Sequence, residues 1–147
     1  MTNKNLMIAI ARVQSEAPVI KVDAKNPMYQ GKKYATIKQI MDTINPLLQK
    51  NNLLFTSHFD FRNEQWGMLS LLVWVGGQEP EETEAFFPME RVADPQQLGK
   101  LATYARRYNL TSLLNLCFED DDDDDDGNSF TTKKTSTPKK QPTPINL

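Results

Sequence analysis

One segment late in the chain carries the residue types that hold a nucleic acid strand. Lys100, Tyr104 and Arg107 recur at helical spacing, so they would share one stripe of a helix, with Arg106 beside it. Cationic side chains bind phosphates without reading sequence, and an aromatic ring such as that of Tyr104 stacks on any base. The sequence therefore predicts a binding site for a single strand on this helix.

Charge is segregated along the chain. The 147 residues include 17 basic and 19 acidic side chains, and eight of the acidic ones form an unbroken run over 119–126. The rest of the chain keeps 17 basic against 11 acidic side chains, a cationic balance that suits a polyanionic partner. Within it, Lys32 and Lys33 stand beside Tyr34 and are expected to form a second cationic wall of the site.

The acidic run also marks a boundary, because so many adjacent carboxylates cannot enter a core without partners. We predict one folded domain over 1–118 and a disordered tail over 119–147, first acidic and then rich in Pro, Lys and Thr. A single cysteine, Cys117, excludes an intrachain disulfide. We find neither a basic and apolar leader nor a long apolar span, so the cytoplasm is the expected location and no membrane contact is expected.

Two helices are predicted in the first third of the chain. Apolar residues recur at helical spacing over about 6–16, where Thr2 and Asn3 can cap the start. Thr36 and Gln39 match a capping box before a second apolar stripe, which contains Pro46 and ends at asparagines 51 and 52. At Pro46 we expect a bend or a new helical turn. The intervening segment, 17–33, has no clean period and is predicted to be a loop with a short extended piece at 19–22.

From residue 53 the hydrophobic period switches to two, which predicts strands at 53–61, 66–75 and 83–90. The second is apolar on both faces and should be central, whereas Pro88 places the third at an edge. Asp94 and Pro95 then start a third helix. The predicted fold class is α+β: two N-terminal helices, a three-stranded antiparallel meander and a following helix.

Several side chains are expected to face the core. Leu98 and Tyr108 fall on the inward stripe of the third helix. Tyr34, Trp66 and Trp74 are expected to pack in the core, since that is the common place for an aromatic ring in a small domain.

Two blocks of the chain resemble the essential recombination function (ERF) family of phage single-strand annealing proteins. They are KKYATIKQIMDTINPLLQKNNLLFTS and LATYARRYNLTSLLNLCFEDDDDDDDGN. The first is similar to the family's tyrosine-alanine-threonine start and proline-leucine-leucine middle, and the second to its TYARRY helix and aspartate-rich exit. The resemblance covers about 6–128. Lys100 departs from the small residue common at that position and adds a candidate phosphate contact.

The resemblance implies an ATP-independent annealing protein of phage recombination. Such a protein coats single-stranded DNA as a ring or other homo-oligomer, and it acts without a cofactor and not as an enzyme. Related annealing folds place a β-β-β-α unit at the DNA groove, in agreement with the element order given by periodicity. The resemblance also leaves room for a host single-strand-binding or replication protein as a further partner.

The sequence gives little support for metal binding or enzymatic activity. Contiguous aspartates lack the spacing of a calcium loop, so no metal site is expected. The run could occupy the cationic groove as a DNA-like polyanion, contact a basic partner or be a solubilising spacer. No phosphate-binding G-x-x-x-x-G-K-[ST] motif is present, the single histidine, His58, lies on the polar side of a predicted strand, and Cys117 has no histidine nearby in sequence. The main alternative is a phage adaptor that recruits a host protein through the acidic run and basic tail.

Overall fold

A computed structural model of the protein describes residues 3–22, 24–25, 33–90 and 94–119. Three helices and five strands follow one another in this part of the chain in the order α1, β1, β2, α2, β3, β4, β5 and α3. Their bounds are α1 Lys4–Glu16, β1 Ala24–Lys25, β2 Lys33–Tyr34, α2 Ile37–Lys50, β3 Leu53–Arg62, β4 Gln65–Trp74, β5 Glu81–Pro88 and α3 Pro95–Leu114. The predicted α+β order of two helices, a meander and a further helix is confirmed.

Strands β3, β4 and β5 form an antiparallel sheet with β4 in the centre. Asn63 and Glu64 connect β3 to β4, and both have a positive φ, of 52° and 62°. Positive φ at both central residues is the signature of a type I′ turn, whose twist matches that of the strands it joins. Pro88 lies in the edge strand β5, as predicted from its missing donor.

The segment predicted to be a loop contains paired backbone instead. β1 pairs with β2 as a short antiparallel ladder. Ile20 forms an isolated parallel bridge with Phe118, in which the Ile20 N–H donates to the Cys117 carbonyl (3.0 Å) and the Glu119 N–H donates to the Ile20 carbonyl (2.9 Å). The bridge at Ile20 falls in the extended piece predicted at 19–22, whereas the β1–β2 ladder was missed because two-residue strands leave no periodic signal.

All three helices pack on the same face of the sheet, called the inner face here. It carries the side chains of Leu53, Phe55, Phe59 and their alternate neighbours. Apolar side chains from the three helices, the sheet and the 17–22 segment bury each other there, and they supply the main driving force for folding. The fully buried members are Leu6, Val13, Ile20, Ile40, Ile44, Leu48, Leu72, Leu110 and Leu114.

Helix α2 begins as its sequence predicts. The Gln39 N–H donates to Thr36 Oγ1 (3.1 Å), and the Thr36 N–H donates to Gln39 Oε1 (2.9 Å), so the capping box is complete. Pro46 lies inside one continuous helix, and the chain then leaves it through Asn52, whose φ is 57°. Asparagine tolerates this left-handed conformation better than most residues, which explains its place after the helix.

Of the two expected caps of α1, Thr2 lies outside the described residues, and Asn3 is wrong: its side chain makes no capping bond and donates to the Glu82 carbonyl (3.0 Å). The first turn is held from the sheet instead: Glu81 Oε1 accepts from the Leu6 N–H (3.0 Å), and Oε2 accepts from Asn5 Nδ2 (2.7 Å). Burial raises the pKa of Glu81, and these hydrogen bonds lower it. The hydrogen bonds together have the larger effect, so the pKa lies below that of an ordinary glutamate. Glu81 therefore fixes α1 against β5.

Glu81 should make stability depend on pH. Its carboxylate stabilises the folded state fully above the pKa of an unfolded glutamate, and that contribution is lost as pH falls through the lower folded-state pKa. We expect Glu81→Gln to lower the melting temperature at pH 7 and to approach the wild type below about pH 4. Circular dichroism melts from pH 3 to 7 measure this, with Glu82→Gln as the neighbouring control. A deficit that is equal at all pH values would contradict the proposed linkage.

Candidate nucleic-acid interface

Arg107 lies among aromatic rings on one flank of α3. Its guanidinium carbon is 4.8 Å from the ring centroid of Tyr34, 5.3 Å from that of Tyr104 and 5.9 Å from that of Tyr108. The Tyr104 and Tyr108 rings are 4.5 Å apart, and Phe87 of β5 approaches both, at 5.8 and 5.9 Å. We call these five residues the tyrosine–arginine cluster. It joins α3, β5 and the end of β2 in one surface.

The guanidinium of Arg107 keeps most of its hydrogen-bonding capacity. Nη1 donates to the Ala35 carbonyl across 3.4 Å, a long bond. Within the described ranges no carboxylate lies within ion-pair distance of Arg107. A guanidinium has five N–H donors in one plane, and ring contacts use none of them as conventional hydrogen bonds, so donors remain for an anion. The cluster thus holds an arginine in place without neutralising it.

Tyr108 is exposed, and the expectation that it packs in the core is wrong. Its side chain is 49% exposed, whereas Tyr104 is half-buried. The reason lies in the width of the sheet: α3 packs over β4 and β5 through Ala105 and Asn109, and β5 is the last strand. A side chain about 100° around the helix from Asn109 therefore passes beyond the sheet edge. Tyr108 presents the more accessible ring of the two tyrosines.

The other predicted cations of α3 stand apart from Arg107. Lys100 is exposed two turns earlier on the same stripe. Arg106 is half-buried, and consecutive helical residues are about 100° apart, so its side chain leaves α3 on a different flank. None of the ring contacts of the cluster involves Arg106. The two adjacent arginines therefore do not form one patch.

The predicted second cationic wall is placed only in part. Lys32 lies outside the described residues. Lys33 is placed by its backbone, which pairs with Lys25 in the β1–β2 ladder. Tyr34, the next residue, has its ring against Arg107, and the Ala35 carbonyl accepts the arginine's hydrogen bond. Lys33 therefore directly precedes a residue of the tyrosine–arginine cluster.

A buried polar network fixes the position of α3 on the sheet. Asn109 Nδ2 donates to the Met68 carbonyl (3.0 Å) and to Ser70 Oγ (2.9 Å), and Ser70 Oγ shares a hydrogen bond with Ser57 Oγ (2.7 Å). Ser70 is 0% and Asn109 4% exposed. Sequence reasoning missed Asn109, although an asparagine inside a helix is unfavourable unless its amide finds a specific partner.

Comparison with known proteins decides the family. The model of the ERF superfamily matches residues 6–146, nearly the whole chain. The chain belongs to the ERF superfamily. This makes it a recombination protein of the phage strand-annealing type and suggests single-stranded DNA as its partner. We found no match among curated proteins and none among solved structures.

Of the other apolar side chains expected in the core of this ERF protein, some are buried and some are exposed. Trp74 packs against the main core, but Trp66 is 59% and Leu98 38% exposed, so their predicted burial is wrong. Both lie where the β3–β4 hairpin extends past the start of α3, and no other part of the described chain covers them. No helix in the ranges that the structure describes has the length and apolar character needed to cross a bilayer.

Two aspartates in the described part of the chain form ion pairs. Asp42 pairs with Lys38 (2.6 Å), and Asp60 pairs with Arg62 (2.7 Å), whose hydrogen bond lowers the pKa of Asp60. Among the residues with defined positions, no three histidine, cysteine or carboxylate side chains are grouped as metal ligands would be. The absence of enzymatic activity stays a prediction.

Removal of the Asn109 amide should loosen α3. We expect Asn109→Ala to lower the free energy of unfolding by about 1–3 kcal/mol, because it leaves buried Ser70 and the Met68 carbonyl short of a partner. Urea denaturation followed by circular dichroism measures the loss. Ser112→Ala, at an exposed position of the same helix, is the control and should unfold as the wild type does. Equal stability of both variants would show that the network does not hold the helix.

Proposed function

We propose that this protein anneals complementary DNA strands without ATP, and that it works as a multimer that holds one strand by its phosphates along α3. The observation that carries the proposal is the tyrosine–arginine cluster. Its cation is held among rings, unpaired with any carboxylate in the described part of the chain, and it lies on the helix whose sequence resembles the family's most specific block. Family membership supports strand annealing in general.

The geometry suits phosphate binding along a line. Lys100 and Arg107 are seven residues apart on one stripe of α3, which separates them by about 10 Å along the helix axis. A flexible lysine and a fixed arginine at that spacing offer successive cations to one backbone. Arg107 is the stronger anchor, since its planar donors match two phosphate oxygens and its orientation is already set by the rings.

Annealing also requires the base edges to stay free. The exposed groups next to Arg107 are aromatic, chiefly Tyr108, and a ring stacks on the face of a base without using its hydrogen-bonding edge. The sequence contains no phosphate-binding loop for a nucleotide, which supports an annealing reaction that needs no ATP. Stacking and phosphate contacts together would hold a strand ready to pair.

The adaptor hypothesis uses different parts of the molecule. It places recruitment of a host protein in the acidic run and basic tail and requires no contact between α3 and DNA. An annealing protein must instead show affinity for single strands that falls linearly on a logarithmic salt scale as counterions are released. Binding that lacks this salt dependence would favour the adaptor.

Arginine variants test the phosphate site. We expect Arg107→Ala to weaken binding of a labelled single-stranded oligonucleotide at least tenfold and to reduce the salt slope by about 1, because one phosphate contact is lost. Arg107→Lys should recover only part of the affinity, since an ammonium group cannot reproduce the stacked, planar guanidinium. Arg106→Ala should cost less alone, and the double alanine variant should lose most binding.

Fluorescence anisotropy at two salt concentrations measures these affinities, and addition of the complementary strand without ATP measures annealing. Lys38→Ala removes an exposed cation of α2 that already pairs with Asp42, and it serves as the control. Wild-type affinity in folded Arg107→Ala would reject the site. Normal binding without acceleration of duplex formation would reject annealing while leaving the strand-binding site in place.

Tyr108 tests the stacking contact. We expect Tyr108→Ala to weaken strand binding by about 1–3 kcal/mol with the salt slope unchanged, because stacking releases no counterions. Tyr108→Phe keeps the ring and should bind like the wild type. Quenching of a fluorescent base analogue in the oligonucleotide reports the contact directly. Equal affinities of the alanine and phenylalanine variants would mean that Tyr108 does not stack on a base.

A further inference from the structure

An apolar groove remains open at the hairpin end of the inner face. Its walls are Phe59, Phe61, Trp66 and Leu98, with buried Met89 at its base, and it encloses about 690 Å³. Phe61 is 54% and Trp66 59% exposed, and their rings lie 5.3 Å apart as a cross-strand pair. A contiguous exposed patch of this composition marks a contact surface. We call it the hairpin groove.

The rim of the hairpin groove is acidic. Glu64 and Glu90 line it together with Gln65. Neither carboxylate pairs with a cation in the described part of the chain. Two carboxylates at the rim repel phosphates, so a nucleic acid strand is a poor occupant. An apolar segment flanked by basic residues would match both the walls and the rim.

Helix α1 carries a segment of that kind on its solvent side. Met7 and Ile8 are 52% and 41% exposed, and Ala11 continues the same stripe one turn later. Exposed Lys4 and Arg12 flank these apolar residues, and neither forms an ion pair with a residue of defined position. We call these five residues the α1 outer stripe. Its apolar centre and basic flanks complement the hairpin groove.

The two surfaces lie at opposite ends of the sheet. Glu81 holds the first turn of α1, and it pairs with Trp74 at one end of β4. The hairpin groove surrounds Trp66 at the other end, eight residues away, or roughly 26 Å along an extended strand. The α1 outer stripe therefore cannot reach the groove of its own protomer.

We propose that the α1 outer stripe of one protomer docks into the hairpin groove of the next, so that the copies join head to tail. The inference deepens the proposed function, on whose multimer it rests, by assigning the surfaces that build it. Each protomer offers one stripe and one groove, and a heterologous contact of this kind closes into a ring when the rotation between neighbours permits. The tyrosine–arginine cluster belongs to neither surface and stays available to DNA.

Acidic substitutions at exposed positions test each surface. The stripe variant carries Met7→Glu and Ile8→Glu, and the groove variant carries Trp66→Glu and Leu98→Glu. We expect both to shift from a multimer to the 16.8 kDa mass of one chain by size-exclusion chromatography with light scattering. Leu54→Glu, at a 52% exposed apolar position on the opposite face of the sheet, is the control and should leave the multimer intact.

Mixing the two variants tests whether the contact is head to tail. Each variant keeps the surface that the other has lost, so an equimolar mixture can form one native contact per pair. The two altered surfaces are both acidic and repel each other, which stops assembly at that pair. We expect a species of twice the mass of one chain in the mixture and in neither variant alone.

Several results would overturn the proposal: a monomeric wild type, a multimer in the stripe or groove variant, no dimer on mixing, or disruption by Leu54→Glu. If the groove variant fails to fold by circular dichroism, Phe61→Thr replaces it, since threonine suits a strand. Short oligonucleotides bound by the monomeric stripe variant separate the two questions. Binding there with Arg107-dependent affinity supports the DNA site whether or not the assembly surfaces are correct.

Discussion

The hydrogen bonds of Asn109 fix the helix that carries the proposed DNA site. Its amide connects α3 to the Met68 carbonyl and to Ser70 in the central strand, in a part of the core that excludes water. Satisfied polar groups at such a position define one register, because any slide along the sheet would leave them buried without partners. That register sets Tyr108 beyond the sheet edge and holds Arg107 against Tyr34. A mobile apolar contact would leave the cluster without a defined shape.

The charges of the surface divide the molecule by function. The flank of α3 with Lys100 and Arg107 is cationic and aromatic, whereas the hairpin groove is apolar with an acidic rim. One attracts phosphates and the other repels them, so a strand and a neighbouring protomer do not compete for the same place. The proposed strand binding and the proposed assembly therefore use separate surfaces of one small domain.

Local signals were sufficient for most elements and insufficient for the site. The starts of α2 and α3 could be predicted because capping involves residues within one turn. The signals are Thr36 with Gln39 for α2 and Asp94 with Pro95 for α3. The exposure of Tyr108 and Trp66 depends instead on where the sheet ends and on where α3 starts to cover it. The hydrophobic periodicity of a single helix or strand does not contain this information. The stripe of Lys100, Tyr104 and Arg107 follows from helical spacing, but the approach of Tyr34 follows only from the tertiary fold.

The bridge between Ile20 and Phe118 has a consequence for the order of folding. Its two partners lie nearly a hundred residues apart, so Ile20 gains these backbone partners only when almost all of the domain has been synthesised. Contacts of such long sequence separation form late, since loop closure costs entropy before it is repaid. The meander and α3 can associate beforehand. The bridge is thus expected to form after most of the domain is in place, and it joins the segment that follows α1 to the segment that follows α3.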